Sequence, residues 1–556
     1  MRYAISILFL LSVPVLAQTP GSCELGVAEG DLDVDGSEVF ARVFNGGNLF
    51  FGNETTAGNG YFVPRNPIGD SYAPSPLFAA GLWVGGKVNG ALRVAGARYT
   101  RFEYWPGPLQ DGGTLPNPSD CSAYDRIFVV SRADVRSYLQ TGQATDDLRD
   151  WPVSWGAPVL NGDGVVGNYN LKGGDQPAIY GDQTAWWVMN DVGNVHEETG
   201  SNPLGIEVQA SAFAVGTGIL ALRQATYYRY VIVNRSNLPI DSAYISLFMD
   251  PDFGAAHDDW IGSDTTLSMG YVYNGQEIDY VYGIPPAQGY QVVQGPVGLP
   301  NGRDDDGDGE VDEPGERVGM TAAMSWCGGC AEPATSDPRT KEEYYYHMQG
   351  RWKDGTPMTA AGYGYATEGP VTKFRLPGDP VAGRCWSAPN DCLDGSLRAE
   401  DAQIIVHTGP FRLDPGDSTE VVFGFPFAQG SNHLDSVVQL RVAAYSVQAA
   451  WDTGALAPRR VEAEPLRETF QLQVSPPFPN PFTEQTTIRY ELPEPMRVRM
   501  TVSDALGREV AVLVDGEQQG GSYEVDFDGA DLAPGTYVVR FEAAGEERAF
   551  SIVKLR

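Results

Sequence analysis

Apolar stretches of membrane length are missing from this 556-residue chain. A helix needs about 20 consecutive apolar residues to cross a bilayer, so no transmembrane segment is expected in the mature protein. Basic residues are few: 38 Lys and Arg stand against 72 Asp and Glu, for a net charge of -34. Such a surface repels phosphate backbones and anionic headgroups, which argues against nucleic-acid partners and against direct membrane binding. The same charge keeps a protein in solution and suits divalent cations or a saline exterior.

Signatures of catalysis are equally sparse. The chain has no phosphate-cradling P-loop, no Rossmann fingerprint set between a strand and a helix, and no G-x-S-x-G nucleophile elbow. Its five histidines, His196, His257, His347, His407 and His433, are scattered. A general base needs a partner within hydrogen-bond reach, and their spacing supplies none. His196-Glu197-Glu198 opens like a zinc-protease helix but lacks the second histidine four residues on. Carboxylate pairs suited to glycoside hydrolysis occur throughout so acidic a chain, so spacing singles out none of them. No repeat of solenoid or propeller period is visible.

What is abundant points to strands and turns. Gly (66), Pro (40), Tyr (27) and Trp (11), with many Val and Thr, describe short strands joined by tight turns. The chain opens with Met1-Arg2-Tyr3, an apolar run over 4–16 broken by Ser6, Ser12 and Pro14, and a small-residue site at Ala17. This is the pattern of a signal peptide over 1–17, which implies Sec-dependent export to the periplasm. Cys23 follows soon after, and a lipoprotein is the alternative, although Pro20-Gly21-Ser22 is a poor lipobox. The six cysteines suit an oxidising compartment. The close pairs Cys327/Cys330 and Cys385/Cys392 suggest loop staples, leaving Cys23 with Cys121, and Cys327-Gly328-Gly329-Cys330 retains a redox or zinc alternative.

The sharpest boundary lies at 455–469, a Pro-containing charged stretch that reads as a linker after a β-rich body over 18–454, itself of one or two subdomains. Beyond it, residues alternate with period two. Phe470, Leu472 and Val474 lie on one face, as do Ile488, Tyr490 and Leu492, then Val498, Met500 and Val502, then Val510, Val512 and Val514. The pattern continues through Tyr523, Val525 and Phe527, then Tyr537, Val539 and Phe541, and ends at Phe550 and Ile552. Short half-buried strands of this kind predict a seven-stranded immunoglobulin-like sandwich over 470–556.

The tail also carries a set of ordered landmarks. They are Pro479-Asn480-Pro481-Phe482, Thr486-Thr487-Ile488-Arg489-Tyr490, Asp504-Ala505-Leu506-Gly507-Arg508-Glu509-Val510, Leu532-Ala533-Pro534-Gly535-Thr536-Tyr537 and the terminal Lys554-Leu555-Arg556. In this it resembles the type A C-terminal sorting domain of the type IX secretion system. That resemblance implies recognition of 470–556 by the outer-membrane translocon. It also implies removal of the tail in many members, with the cargo attached to surface lipopolysaccharide or released. Phe78-Ala79-Ala80-Gly81-Leu82-Trp83-Val84-Gly85-Gly86 and Asp182-Gln183-Thr184-Ala185-Trp186-Trp187-Val188-Met189-Asn190-Asp191 are similar to uncharacterised N-terminal parts of other large sorting-domain proteins, which brings no activity with it.

Within the body, apolar or alternating runs at 77–84, 91–102, 127–131, 184–189, 206–215, 227–234 and 243–249 predict strands, and 410–417 reads as a turn leading into a buried strand at 419–425. One helix is expected. Leu434, Val437, Leu440, Ala444, Val447 and Trp451 recur at helical spacing, with Asp435, Gln439, Arg441 and Gln448 opposite, a cap at Ser431 or Asn432, and a stop at Gly454. The fold class is thus all-β: a large multi-stranded sandwich with one late helix, followed by the Ig-like tail.

The strongest local signal for chemistry runs from Asn301 to Glu313. Asp304, Asp306 and Asp308 alternate ahead of Gly309, which brings hard oxygens to one point as Ca²⁺ requires; Glu310, Asp312 and Glu313 are available to complete the shell. Loop position twelve is Gly315 rather than a bidentate Glu, so the pattern resembles a structural calcium turn of thrombospondin type 3 more than a sensor loop. Asp250, Asp252, Asp258, Asp259 and Asp264 form a second cluster after a strand. Asp31, Asp33 and Asp35 match the same expression, but Leu32 and Val34 alternate with them as in a strand. Tyr344-Tyr345-Tyr346 with Trp352, and Trp186-Trp187, offer stacking surfaces for sugars, although buried core is the commoner use of such aromatics.

Two functions follow. The first is a non-enzymatic extracellular or cell-surface protein, its β body stabilised by Ca²⁺ and acting in structure, adhesion or binding, with surface lipopolysaccharide or glycans as candidate partners. The second is a secreted carbohydrate-active or other hydrolytic enzyme, which requires two carboxylates roughly 5–10 Å apart in an aromatic-lined cleft.

Overall fold

The computed structural model describes residues 21–24, 26–52, 60–66, 74–99, 103–117, 121–254, 258–299, 313, 315–328, 334–384, 386–387, 401–462, 472–493 and 495–555. The expected signal peptide lies outside them. The chain divides into two compact units, Met1–Glu462 and Ala463–Arg556.

The body is built on two nine-stranded sheets. The first runs Glu29–Leu32, Phe40–Phe44, Asn48–Leu49, Leu77–Val88, Ile240–Pro251, Ala402–Leu413 and Ala322–Cys327, with Tyr61–Phe62 and Ala91–Gly96 pairing from the side. The second runs Asp259–Asp264, Met269–Asn274, Ala287–Gln294, Ser418–Ala428, Ala225–Asn234, Ile206–Ala214, Gln183–Asn190 and Trp105–Pro106, with Phe128–Ser131 on Gln183–Asn190. Leu82, Ile245, Leu247 and Ile404 of the first sheet share one core with Trp187, Tyr228, Tyr230 and Phe423 of the second. Each such side chain contributes about 1.5–3 kcal/mol when fully buried.

Both outer faces are covered as well. On the first sheet, Trp83, Phe248 and Trp326 pack under the helix Lys341–Met348 and under Trp352. On the second, Phe128, Trp186 and Val188 pack with Trp151 and with Val135 of the helix Arg132–Thr141. The helix His433–Asp452 covers the remainder through Val437, Leu440, Ala444 and Val447. Gly424 permits its approach, because a Cβ there would come within 2.9 Å of Val447. The helix starts as predicted: the Asn432 side chain accepts from the backbone N–H of Leu434 and Asp435. Among the described residues four further α-helices went unpredicted, Arg132–Thr141, Lys341–Met348 and the single turns Asp146–Arg149 and Leu220–Arg223, and Pro410 to Leu413 continue the strand Ala402–Leu413 rather than opening a turn.

Cys23 is bonded to Cys121, with Cα atoms 5.3 Å apart. The Cys23 sulfur is therefore engaged, which removes the lipoprotein alternative. Cys327 is disulfide-bonded too, while Cys330, Cys385 and Cys392 lie outside the described residues. Residues 455–462, expected to begin a linker, run along the body instead. Leu456 is buried, and Gln176 and Val461 exchange two hydrogen bonds of 2.8 Å each.

The tail unit contains a three-stranded sheet, Gln473–Val474, Gln485–Leu492 and Gly521–Asp528, and a four-stranded one, Glu509–Gln518, Met496–Asp504, Gly535–Ala543 and Glu546–Lys554. Ile488, Tyr490, Leu492, Val498, Met500, Val502, Val539 and Phe541 fill its core as the alternation predicts. Val510 and Val512 do not; they are 38% and 48% exposed. Register slips between Met500 and Thr501 and between Val502 and Ser503 accompany the change of phase on the paired strand.

Candidate functional site

Of the expected calcium ligands, Asp304, Asp306, Asp308, Glu310 and Asp312 lie outside the described residues. Glu313 is half-buried and its carbonyl accepts from the N–H of Glu316 at 3.1 Å. The chain on either side is held as a narrow ladder: Val297 bridges Arg317, Gly298 N–H donates to Glu316 at 3.0 Å, and Val318 N–H donates to Pro296 at 3.0 Å.

The second acidic cluster is dispersed by its partners. Asp250 is buried at the end of Ile240–Pro251 and accepts from the Tyr99 hydroxyl at 2.8 Å; burial pushes its carboxyl up to about 7. Asp259 is buried and accepts from Phe253 N–H at 3.1 Å, and burial raises its carboxyl well above the usual range. Asp258 accepts from the side chains of Asn274 and Gln276 at 3.0 and 2.9 Å. Asp264 pairs with Arg441 at 3.2 Å. The third cluster is a strand only in its first half: Asp31 and the buried Leu32 end the strand Glu29–Leu32, with Asp31 paired to Arg42 at 2.7 Å, while Asp33 to Asp35 lie beyond it, Asp33 paired with Arg65. Among the described residues, no group of three or more His, Cys, Asp or Glu side chains is placed to hold a metal ion.

The aromatic candidates are core. Trp186, Trp187, Tyr344, Tyr345 and Trp352 are buried, and Tyr346 is half-buried. His196, His347 and His407 are buried too. Ser246 Oγ lies 2.8 Å from His407 Nδ1, and burial lowers both the His347 and His407 pKa values, the former to about 3.

Clefts lie elsewhere: one of about 430 Å³ is lined by Glu24, Trp105 and Glu197, one of about 490 Å³ by Val297 to Leu299 and Phe411 to Leu413, and a third lies between the second sheet and the last two turns of the helix His433–Asp452. It encloses about 690 Å³ and is lined by Tyr445, Gln448, Trp451 and Asp452 from the helix, Gln291 to Gly295 from the strand Ala287–Gln294 and its end, and the chain around Thr265 to Ser268 and Arg317 to Gly319. A β-bulge sets its floor. Gln291 pairs with Gly424 and Val292 with Phe423, but Gln294 pairs with Val422, so Val293 is the extra residue. Gln291 and Gln294 are thereby turned to the same face, toward the helix.

A chain of amides connects floor to wall. Gln291 Nε2 donates to Gln448 Oε1 at 3.4 Å, and Gln448 Nε2 donates to Val293 O at 3.0 Å and to Asp452 Oδ1 at 2.9 Å. Trp451 is fixed by Nε1 donating to Gln294 Oε1 at 3.1 Å and by stacking on Tyr180 with centroids 6.3 Å apart. Arg317 donates to Gly295 O at 2.9 Å. Gly295 is required there, since a Cβ would fall 1.6 Å from Val318 O. Tyr445 stands on the rim, 69% exposed, and Gln291 Oε1 is buried with no hydrogen-bond partner. Helical periodicity had placed Trp451 in the core and Gln448 in solvent; both are half-buried and line the cleft. No signal in the sequence separates these residues from an ordinary helix edge.

The tail shows how its landmarks are used. Phe482 is buried, and its N–H and carbonyl bond Val553 and Leu555 at 2.9 and 2.7 Å. Asn480 donates to Ser551 O at 2.8 Å and accepts from Val553 N–H at 2.9 Å. Asp504 Oδ1 accepts from the N–H of Leu506 at 2.9 Å and of Arg508 at 3.0 Å, closing the turn, and Tyr537 donates to Ala533 O at 2.8 Å. Pro479-Asn480-Pro481-Phe482 is thus clamped to the last strand, so the two ends of the unit form one structure.

Residues 477–554 match the secretion system C-terminal sorting domain. The chain carries a type IX secretion sorting domain, and it is a secreted or cell-surface protein. No curated protein matches the chain. Among solved structures, a polysaccharide lyase aligns at 8% identity over 95% of this chain and 46% of its own, with a TM-score of 0.23. The chain spans less than half of that protein's length, and a similarity so slight carries no argument.

Proposed function

We propose that the protein is a non-enzymatic extracellular or cell-surface binding protein, made with a Sec signal peptide, passed through the outer membrane by way of its tail, and acting in adhesion or attachment to surface glycans. The sorting domain at 477–554 is the observation that carries the export half of this reading. The binding half is supported by the cleft beside Trp451, whose lining is aromatic and amide-rich with Asp452 as its one described carboxylate; the hydrolase alternative, which works with two carboxylates, would use the smaller cleft that holds Glu24 and Glu197. The hydrolase alternative draws on Asp250, whose raised pKa suits a general acid, but that carboxyl is buried against Tyr99.

Calcium is the proposed structural ion. Asp304, Asp306, Asp308, Glu310, Asp312 and Glu313 would hold it, cross-linking carboxylates that otherwise repel, over a loop whose two ends are already side by side in the Val297–Arg317 ladder. The test of the whole reading is a strain deleted for this gene, scored for attachment to polysaccharide-coated surfaces, beside fractionation of a strain lacking 470–556. Attachment equal to wild type refutes the binding role; normal release of the truncated protein refutes the export route.

A further inference from the structure

We infer that the cleft beside Trp451 is a binding site for a neutral oligosaccharide, an assignment that rests on the binding role proposed above and gives it a ligand class. A sugar ring has an apolar C–H face and an edge of hydroxyls that each donate and accept. Its complement is a fixed aromatic ring beside amides, which also do both. Here the Trp451 ring is held by Gln294 and Tyr180, and Tyr445 adds an exposed second ring on the rim. The amides of Gln291 and Gln448 face the same space, and the buried Gln291 Oε1 lacks a donor that a ligand hydroxyl or a bridging water would provide. The volume of about 690 Å³ lies within the range of small-ligand sites. Charge selects the class: the lining carries one guanidinium, Arg317, and one carboxylate, Asp452, and a molecule of net charge -34 repels polyanions. A neutral glycan therefore fits better than a uronate or a phosphate.

The test uses the full mature chain and defined hexasaccharides: cellohexaose, laminarihexaose, xylohexaose, mannohexaose and chitohexaose, with hexagalacturonate as the anionic comparison. At least one neutral hexaose is expected to bind by calorimetry and to change tryptophan fluorescence. Trp451→Ala should weaken that binding at least tenfold, and Tyr445→Ala several-fold. Trp451→Phe should keep calorimetric binding within about fivefold while removing the fluorescence change, a split that general loss of fold would not give. If Trp451→Ala lowers the melting temperature, the exposed Tyr445→Ala and the Trp451→Phe split decide. No binding by any neutral hexaose, tighter binding of hexagalacturonate, or binding unaltered in the Tyr445 and Trp451 variants overturns the assignment. In the last case the binding role survives with its site elsewhere, whereas failure of the attachment assay removes the role itself.

Discussion

His196 offers the clearest quantitative test of how the body is held together. Its Nδ1 lies 3.0 Å from Val94 O and 3.3 Å from Glu103 Oε2, and its Nε2 lies 2.7 Å from Asp191 O. All three are acceptors, so both ring nitrogens carry hydrogen and the buried ring is an imidazolium. Burial alone would depress its pKa; the Glu103 hydrogen bond and charge, with Asp191 behind, outweigh that and raise it to about 9. A folded pKa above the unfolded value of 6.5 means that the stabilisation is complete below pH 6.5 and is lost as pH rises through 9. A rise of this size is worth roughly 3 kcal/mol. His196→Gln removes the charge and leaves the buried Glu103 carboxylate with only its other donors, Gly96, Glu198 and Thr199. Breaking a buried pair from one side costs about 3–5 kcal/mol, a large part of a typical domain's stability. The assay is urea unfolding followed by tryptophan fluorescence, which reports on the body alone because all 11 tryptophans lie between Trp83 and Trp451. The gap between wild type and variant should be widest near pH 6 and should shrink by roughly 3 kcal/mol by pH 10. A gap of constant size across that range would refute the imidazolium assignment.

Other outcomes follow from the same contacts. Cys121→Ser opens a covalent link across a separation of 98 residues, and the chain-entropy account of such a loop predicts a loss of about 4–5 kcal/mol in the same urea assay. Chelation of calcium should lower the melting temperature of the wild type but not of an Asp304→Asn/Asp306→Asn double variant; at an ion concentration 100 times Kd the loss is about 2.7 kcal/mol, and equal melting in both with and without chelator would count against the ion. His347, buried with its pKa lowered to about 3, must stay neutral in the fold, so stability falls as pH drops below 6.5; His347→Phe should flatten that acid limb. Val502→Asp places a charge in the tail core, and cell fractionation should find the protein retained in the periplasm while the tryptophan-monitored unfolding of the body is unaltered.

The tail was legible almost strand by strand, and its packing explains why. In Gln485–Leu492 the residues run exposed and buried in turn, because one face meets a small core and the other meets water. The body strands are covered on both faces. Leu77–Val88 and Ile240–Pro251 are buried nearly throughout, so their sequences show apolar runs without phase, and neither sheet assignment nor register could be read from them. The missed helices differ in cause. Arg132–Thr141 buries only Val135 and so has no stripe, although its Ser131–Asp134 capping box was present in the sequence. Lys341–Met348 buries Tyr344, Tyr345, His347 and Met348 on more than one side. Acidic spacing was the weakest guide: the same alternation that suggests a calcium turn at Asp304 to Asp308 is, at Asp31 to Asp35, the end of a strand and the chain after it, where Asp31 and Asp33 pair with arginines.

The cleft is a harder case, because the face its amides occupy depends on how one extra residue is accommodated. Without the bulge at Val293, alternation along Ala287–Gln294 would send Gln291 and Gln294 to opposite faces, one into the sandwich and one toward the helix. The core would then contain an amide with no partner, and Trp451 would lose the acceptor that orients its ring. With the bulge, both amides face the helix, and the aromatic edge of that helix acquires a polar floor. Deleting Val293 tests the alternation directly, because it removes the bulge and leaves Gln294 two positions after Gln291, still opposite Val422. Both amides should therefore stay on the helix side and hexaose binding should be retained, while stability falls by about 1.5–3 kcal/mol because the buried Val293 side chain is lost from the core it shares with Val447. Loss of hexaose binding in a deletion variant that still folds would refute the alternation argument.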